Sequence, residues 1–159
     1  PLGIKPEDVT WDTDRNGINR GHSNLFLSPR SLAKFGSLYL NKGMVNGKGI
    51  ISEEWVEQSI TMEFGGYGYC WWNDLFGHYA KGLDGHYIYV LPEEDIVVSF
   101  TESIITLKLI SQYIIPAVIQ SDNSTSTKSK VSGLSYLSPT LAFLAIIIII
   151  KRKTWIKKG

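Results

Sequence analysis

Cysteine is nearly absent from this sequence: Cys70 is the only one among 159 residues. A single thiol cannot close an internal disulfide, and it cannot build a zinc site by itself. Cys70 stands in the strand-like run YGYCWW (67–72), and free cysteines in such runs are usually buried and structural. We therefore expect a buried thiol at Cys70 that carries no chemistry.

The sequence also has few histidines and almost no net charge. The three histidines, His22, His78 and His86, have no H-x-x-x-H or related spacing, so the sequence predicts no metal site, and we expect no cofactor. The formal net charge is +1. This value gives no bulk electrostatic reason to expect nucleic acid as a partner.

Aromatic residues are plentiful, at 12% of the sequence with five Trp and eight Tyr. Such a composition is typical of a packed, β-containing domain, with a carbohydrate-facing surface as the alternative. Trp71 and Trp72 are adjacent in a predicted strand, so one should face inwards and the other outwards.

The C-terminal quarter has a different composition from the rest. Residues 120–133 form a polar, Ser/Thr-rich linker that cannot bury a core. Residues 134–150 carry no charge and include five consecutive isoleucines, and residues 151–159 carry five basic side chains. Seventeen helical residues extend ~25 Å, at the short end for a bilayer crossing.

These features predict a transmembrane helix at 134–150, with a buried core helix or strand as the alternative. By the positive-inside rule, the basic tail lies in the cytoplasm and the globular part lies outside the cell membrane.

Local signals in residues 1–119 predict an α+β fold, with an antiparallel sheet and flanking helices. Ser28 and Ser52 are expected to cap two helices, and Asn46-Gly47 is expected to form a tight turn. A closing helix is expected from Thr106. Strands are expected at 67–73, 77–82, 86–91 and 95–101, with a turn at 92–95.

Ser31-Leu32-Ala33-Lys34 matches the S-x-x-K motif of serine hydrolases, and Tyr39-Leu40-Asn41 matches the accompanying Y-x-N. Tyr39, however, follows Ser31 by eight residues on one predicted helix, which separates their Cα atoms by ~12 Å along the axis. A proton-transfer partner must come within about 3 Å of its target. We therefore interpret Ser31 and Lys34 as a decoy, in which Ser31 is a polar residue of the first turn and Lys34 is solvated.

Several segments occur in an order and spacing that resemble the family of class C β-lactamases, D-alanyl-D-alanine carboxypeptidases and related esterases and amidases. The resemblance covers about residues 1–119. It rests on the segments PLGI (1–4), LFLSPRSLAKFG (25–36), LYLN (38–41), NGK (46–48), ISEEWV (51–56), YGY (67–69), WW (71–72), GHYIYV (85–90) and DIVV (95–98).

The resemblance implies that this chain is the C-terminal part of such a domain, with the catalytic serine expected upstream of Pro1. By order, the family's third motif falls on Ala80-Lys81-Gly82. Substrate contacts are therefore expected from Lys81, Gly82 and His86. Ala80 stands where β-lactamases have Lys or His, which makes β-lactam hydrolysis doubtful.

The resemblance implies an enzyme that hydrolyses small molecules or peptides through an acyl-enzyme, and the apolar segment with its basic tail predicts that this enzyme is anchored in the membrane. Two alternatives stay open at this point. One is a catalytically inactive family member that acts as a cell-envelope binding module. The other is a small membrane protein, complete as given, with an unrelated ectodomain.

Overall fold

The computed structural model describes residues 1–21, 23–62, 65–101, 106–123 and 148–151. They form a mixed α+β structure whose largest sheet has five strands in the order β5-β6-β7-β8-β9, all antiparallel. The predicted antiparallel sheet with flanking helices is confirmed. In chain order the elements are β1 (Val9–Trp11), β2 (Leu25–Leu27), α1 (Pro29–Leu40), β3 (Met44–Val45), β4 (Lys48–Gly49), α2 (Glu53–Ile60), β5 (Trp72–Asn73), β6 (His78–Lys81), β7 (Tyr87–Leu91), β8 (Ile96–Phe100), α3 (Thr106–Leu109), α4 (Ile115–Asn123) and β9 (Ile148–Lys151).

Helix α1 begins as the sequence predicts. The Ser28 side chain accepts a hydrogen bond from the Ser31 N–H at 3.2 Å, and Pro29 occupies the first helical position, where its missing N–H costs nothing. The helix packs closely on the sheet at Gly36. A Cβ added there would lie 2.6 Å from methyl carbons of Ile88 and of Val97.

Side chains of β7 and β8 alternate between the two faces of the sheet, and each face carries an apolar cluster. On the α1 face the cluster consists of Ala33, Tyr39, Leu40, Val56, Trp71, Ile88, Val90 and Val97. On the opposite face it consists of Tyr89, Leu91, Ile96, Val98, Phe100, Leu109, Ile110 and Ile114. The sheet is therefore covered by α1 on one side and by the closing helix on the other.

The two predicted caps and the tight turn are present. Ser52 accepts a hydrogen bond from the Trp55 N–H at 3.1 Å and starts α2. Asn46 and Gly47 have φ values of 49° and 75° and join β3 to β4. Positive φ at both central residues is the geometry of a type I′ hairpin turn, which explains the Asn-Gly pair.

Strand β5 is much shorter than the predicted 67–73. Tyr67 makes only an isolated bridge to Trp72, and the Gly68 N–H donates to the Trp71 carbonyl at 2.7 Å, so residues 67–72 fold back on themselves. Cys70 lies in this loop with φ at 66° and is exposed. The prediction of a buried Cys70 is wrong because the chain turns at this residue instead of continuing as a strand.

The closing helix runs from Thr106 to Asn123, which is four residues into the predicted linker. Its middle, Ile110–Ile114, is a π turn in which the Ile115 N–H bonds to the Ile110 carbonyl. Pro116 follows directly. A proline within a helix removes one hydrogen bond and crowds the carbonyl four residues earlier, so the wider turn falls where Pro116 disturbs the regular pattern.

Residues 148–151 form β9 at the outer edge of the sheet, where Ile148 lies opposite Ser99 and Lys151 lies opposite Ile96. The predicted helix over 134–150 is therefore wrong for 148–150, while 134–147 lie outside the described residues. Isoleucine is β-branched and favours strands, and the backbone groups at the edge of β8 offer partners. None of the helices in the described part of the chain is long and apolar enough to cross a membrane.

Candidate functional site

The three predicted substrate contacts lie together at the end of the β6–β7 hairpin. Lys81 is the last residue of β6 and pairs with Tyr87, the first residue of β7. The Gly82 N–H donates to the His86 carbonyl at 2.8 Å and closes the connecting turn. Lys81, Gly82 and His86 are all exposed. The hairpin thus presents an amine and an imidazole to solvent on either side of one short turn.

The two glycines of this turn differ in what they require. Gly85 has φ at 80°, in the left-handed region where a side chain is strained. Gly82 has φ at −91° and ψ at 171°, which any residue adopts. A Cβ added at Gly82 would lie 3.4 Å from the His86 Cβ. The shape of the turn therefore depends on Gly85, whereas Gly82 keeps the approach to His86 open.

Lys81 lies on a row of tyrosines on the closing-helix face. Its Nζ is 5.9 Å from the centroid of the Tyr87 ring, which is within range of a cation–π interaction. The ring centroid of Tyr79 is 5.9 Å from that of Tyr87 and 5.1 Å from that of Tyr89. The Tyr79 ring stacks on the Tyr89 ring. Sequence reasoning missed this row because the strand pairing that brings Tyr79 opposite Tyr89 was not known. The period-two spacing of Tyr87 and Tyr89 was the available signal.

The far end of the row carries a carboxylate. The Tyr89 hydroxyl donates to Asp74. The pKa of Tyr89 is raised, first by burial and then by the hydrogen bond and negative charge of Asp74. The pKa of Tyr79 is also raised, mainly by burial, while the positive charge of Lys81 acts in the opposite direction. Both phenols therefore stay protonated at neutral pH, and Lys81 is the cation at the open end of the row.

His78 belongs to the same strand but faces α1. His78 is 6% exposed. Its ring lies nearly perpendicular to that of Trp71, with 5.4 Å between the ring centroids. Its Nε2 has no hydrogen-bond partner among the described residues. Burial lowers the pKa of His78 to about 4. A neutral imidazole enclosed by Trp71 and Tyr39 is part of the core and is not available to substrate.

The start of α1 is arranged differently from a catalytic centre. Ser31 is 2% exposed, and the Ser28 hydroxyl donates to the Ser31 hydroxyl oxygen at 3.1 Å. The Lys34 ammonium donates to the Gly3 carbonyl, so Lys34 is partly buried rather than solvated as expected. Tyr39 is buried and packs on Trp71 at 4.3 Å between ring centroids. These contacts support the interpretation of the S-x-x-K match as a structural part of the helix.

Trp71 and Trp72 face opposite ways, as predicted, with exposures of 2% and 39%. Trp72 packs on Tyr67 at 4.6 Å. The pKa of Tyr67 is raised, first by burial and then by the neighbouring Cys70 thiol. This loop therefore carries an exposed pair of aromatic side chains, separate in sequence from the hairpin.

Metal ligands do not come together in the part of the chain that the structure describes, where no group of three His, Cys, Asp or Glu side chains is placed to hold an ion. His22 lies outside that part.

No protein-family model matches the chain, and no curated protein matches its sequence. The resemblance to penicillin-recognising hydrolases therefore stays a prediction.

Proposed function

We propose that this chain is the C-terminal part of a membrane-tethered, externally facing serine hydrolase related to class C β-lactamases and D-alanyl-D-alanine carboxypeptidases. The observation that carries the proposal is the β6–β7 hairpin. It brings Lys81, Gly82 and His86, the residues implied by the resemblance, to one exposed end of an antiparallel sheet. A hairpin at the end of a rigid sheet is a suitable wall for a substrate cleft.

In this proposal the nucleophile is a serine upstream of Pro1, assisted by a lysine and a tyrosine from the same upstream part. The serine attacks the carbonyl carbon and forms an acyl-enzyme as the bond to the alcohol or amine breaks and that group leaves with a proton. Water then hydrolyses the acyl-enzyme to the acid product and the free serine. The hairpin forms one wall of the cleft, and Lys81 holds an anionic group of the substrate. The Gly82 N–H already donates to His86, so backbone donors that stabilise the oxyanion would come from the turn residues that follow.

The substrates that fit the proposal are peptides, amides or esters at the cell surface. Ala80 is partly buried in β6, on the α1 face, and packs against the cluster there. It supplies none of the positive charge that a lysine would bring to the third motif. For this reason we propose ester or amide hydrolysis ahead of β-lactam hydrolysis.

The tether in this proposal lies in the uncharged segment that the sequence analysis bounds at 134–150 and that precedes the basic tail 151–159, although the structure pairs 148–151 with β8 as strand β9. The sequence pattern of polar linker, apolar run and basic cluster supports it. The hydrolase domain then lies outside the cell membrane, and the tail lies in the cytoplasm.

The proposal is tested with the whole gene product and a panel of p-nitrophenyl esters, p-nitroanilides and a chromogenic cephalosporin. We expect hydrolysis of esters or anilides. For an anionic substrate, Lys81→Ala should raise KM by about tenfold, the worth of one charge-assisted contact, with little effect on a neutral analogue. Lys48→Ala, an exposed lysine on β4, is the matched control and should leave both substrates unaffected.

Absence of turnover on the whole panel would contradict the enzyme proposal and favour the inactive binding module. Equal effects of Lys81→Ala and Lys48→Ala on active protein would remove the hairpin from the site. Turnover with an unchanged KM for the anionic substrate would leave a hydrolase whose substrate charge is bound elsewhere.

A further inference from the structure

The lysine that holds the anionic group of the substrate in the proposed site stands beside a partly exposed aromatic ring. We propose that Tyr87, with Tyr79 behind it, is a specificity-determining residue of the hairpin and selects an anionic group carried on an aromatic ring. The ligand class is thus an aryl carboxylate. This preference rests on the proposed hydrolase site and names the part of the substrate that the hairpin binds.

The strand register places Lys81 and the tyrosines on one face of the sheet. Lys81 lies directly opposite Tyr87, and Tyr79 lies directly opposite Tyr89. Opposite residues of an antiparallel pair project to the same face, and so do residues two apart on one strand. The Lys81 Nζ is 5.9 Å from the centroid of the Tyr87 ring. A carboxylate bound to this ammonium therefore has its attached atoms within reach of the Tyr87 ring.

The two rings nearest Lys81 are held in place, yet part of each faces solvent. Tyr79 and Tyr87 are half-buried, and their ring planes are tilted by 41°. Tyr89 is 1% exposed, its ring stacks on Tyr79, and its hydroxyl donates to Asp74. Because this buried pair fixes the inner end of the row, a ligand ring that lies on the outer rings binds with little ordering of side chains.

Charge along the row fits a ligand with one negative group and a neutral body. Lys81 is exposed and supplies a positive charge at the open end. Burial raises the pKa of Tyr79 and of Tyr89, so these two phenols are neutral at pH 7 and add no negative charge. A carboxylate is therefore attracted to Lys81, while the ring that carries it lies against uncharged tyrosine rings.

An aromatic ring gains more on this row than a saturated ring of similar size. Both rings bury apolar area, but only the aromatic ring has the quadrupole that attracts other aromatic rings in stacked or tilted arrangements. This added attraction corresponds to about two- to tenfold in an association constant. The comparison of an aromatic with a saturated ring therefore separates recognition by the tyrosines from simple apolar burial.

Binding is measured first, because it does not require turnover. The whole gene product is titrated with benzoate and with cyclohexanecarboxylate, and the dissociation constants are obtained by ligand-observed NMR. We expect benzoate to bind about fivefold more tightly. Tyr87→Leu should remove this preference, whereas Tyr87→Phe keeps the ring and should preserve it. Tyr69→Leu, which removes an exposed aromatic ring from the loop before β5, is the matched control and should also preserve it.

Turnover is measured next with the same pair of rings. Monomethyl terephthalate and monomethyl cyclohexane-1,4-dicarboxylate each react with water to give methanol and a second carboxylic acid, which is titrated at constant pH. We expect the KM of the aromatic ester to be about fivefold lower than that of the saturated ester. In Tyr87→Leu the KM of the aromatic ester should rise by that factor, while the KM of the saturated ester stays unchanged.

The outcomes separate the ring preference from the hydrolase. Equal binding of the two carboxylates to the unmodified protein, or binding of neither, would overturn the preference without any variant having to fold. A preference that persists in folded Tyr87→Leu would also overturn it. Tighter binding of benzoate without turnover of either ester would support the ring site and contradict the hydrolase. Turnover of both esters with equal KM would support the hydrolase and overturn the preference.

Discussion

The start of α1 and the tip of the β6–β7 hairpin both carry a lysine that follows an alanine, yet the two lysines have opposite surroundings in the structure. At α1, Ser31 is buried and the Lys34 ammonium is bound to a backbone carbonyl. At the hairpin, Lys81 and His86 are exposed. The α1 residues match a catalytic motif in residue type and spacing. The hairpin residues were assigned to the family's third motif only by their order in the chain.

The comparison shows that residue type and spacing do not determine whether a side chain is available for chemistry. The Ser31 hydroxyl accepts a hydrogen bond from the Ser28 hydroxyl. The two residues are close because Ser28 caps the helix and Ser31 lies in its first turn. The groups at the hairpin owe their exposure to a turn that lies beyond the packed part of the sheet. If this difference holds, substitutions in the packed region around α1 should affect stability, whereas substitutions at the hairpin tip should affect function and leave stability nearly unchanged.

The largest expected effect concerns His78, which shares β6 with Lys81 but faces α1. Its pKa is about 4 in the folded state because of burial, against about 6.5 when unfolded. Above pH 6.5 the His78 imidazole is neutral in both the folded and the unfolded protein, so it does not make stability depend on pH. As pH falls from 6.5 towards 4 the unfolded state takes up a proton first, and stability should fall by up to about 3 kcal/mol.

Urea unfolding at several pH values between 4 and 7 measures this dependence. His78→Phe should flatten it, whereas His86→Gln, at the exposed end of the same hairpin, should leave it in place. A pH dependence that is unchanged in His78→Phe would show that another group causes the acid sensitivity.

The next effect concerns the contact between α1 and the sheet. Gly36→Ala places a Cβ 2.6 Å from methyl carbons of Ile88 and of Val97 and should cost about 1–3 kcal/mol through overpacking. Gly49→Ala is the matched control, because nothing lies within 4 Å of a Cβ there. Equal urea midpoints for the two variants would mean that α1 does not pack on β7 and β8 as described.

The helix cap gives a smaller effect. Ser28→Ala removes the acceptor for the Ser31 N–H and should lower the free energy of unfolding by about 1 kcal/mol. Ser28→Asp keeps an acceptor and should stay within a few tenths of a kcal/mol of the parent protein. Thermal unfolding of the three proteins in parallel measures both differences, and an Ala variant as stable as the Asp variant would show that the cap does not stabilise α1.

The smallest effect on stability is expected at the hairpin tip. Lys81→Ala should change the free energy of unfolding by less than about 0.5 kcal/mol, since Lys81 is exposed and its contact with Tyr87 is a surface one. Chemical unfolding in urea measures it. A loss above about 2 kcal/mol would place Lys81 with the α1 residues as a structural group and would end the contrast between the two places.

The parts of the fold that the sequence predicted correctly are those determined within a few residues. The caps at Ser28 and Ser52 and the Asn46-Gly47 turn each depend on hydrogen bonds or backbone angles inside one turn of chain. The period-two strands after residue 77 were found for the same reason, and their bounds differ by a residue or two from the prediction.

The predictions that failed depend on loop geometry or on strand partners that the local residue pattern does not indicate. Cys70 is exposed because a loop between α2 and β5 turns there at positive φ, a geometry that its residue type does not signal. Residues 148–150, the described part of the isoleucine run, are compatible with a helix or a strand by sequence, and pairing with β8 makes them a strand. Likewise, the row of Tyr79, Tyr87 and Tyr89 beside Lys81 exists only once the strand register is set.

The contrast between α1 and the hairpin is tested most directly by locating the nucleophile of the proposed hydrolase. The whole gene product is treated with a fluorophosphonate, digested, and the modified serine is found by mass spectrometry. We predict one adduct on a serine outside residues 1–159 and none on Ser31, with slower labelling by an anionic probe in Lys81→Ala. An adduct on Ser31, lost in Ser31→Ala while the protein stays folded, would contradict the account.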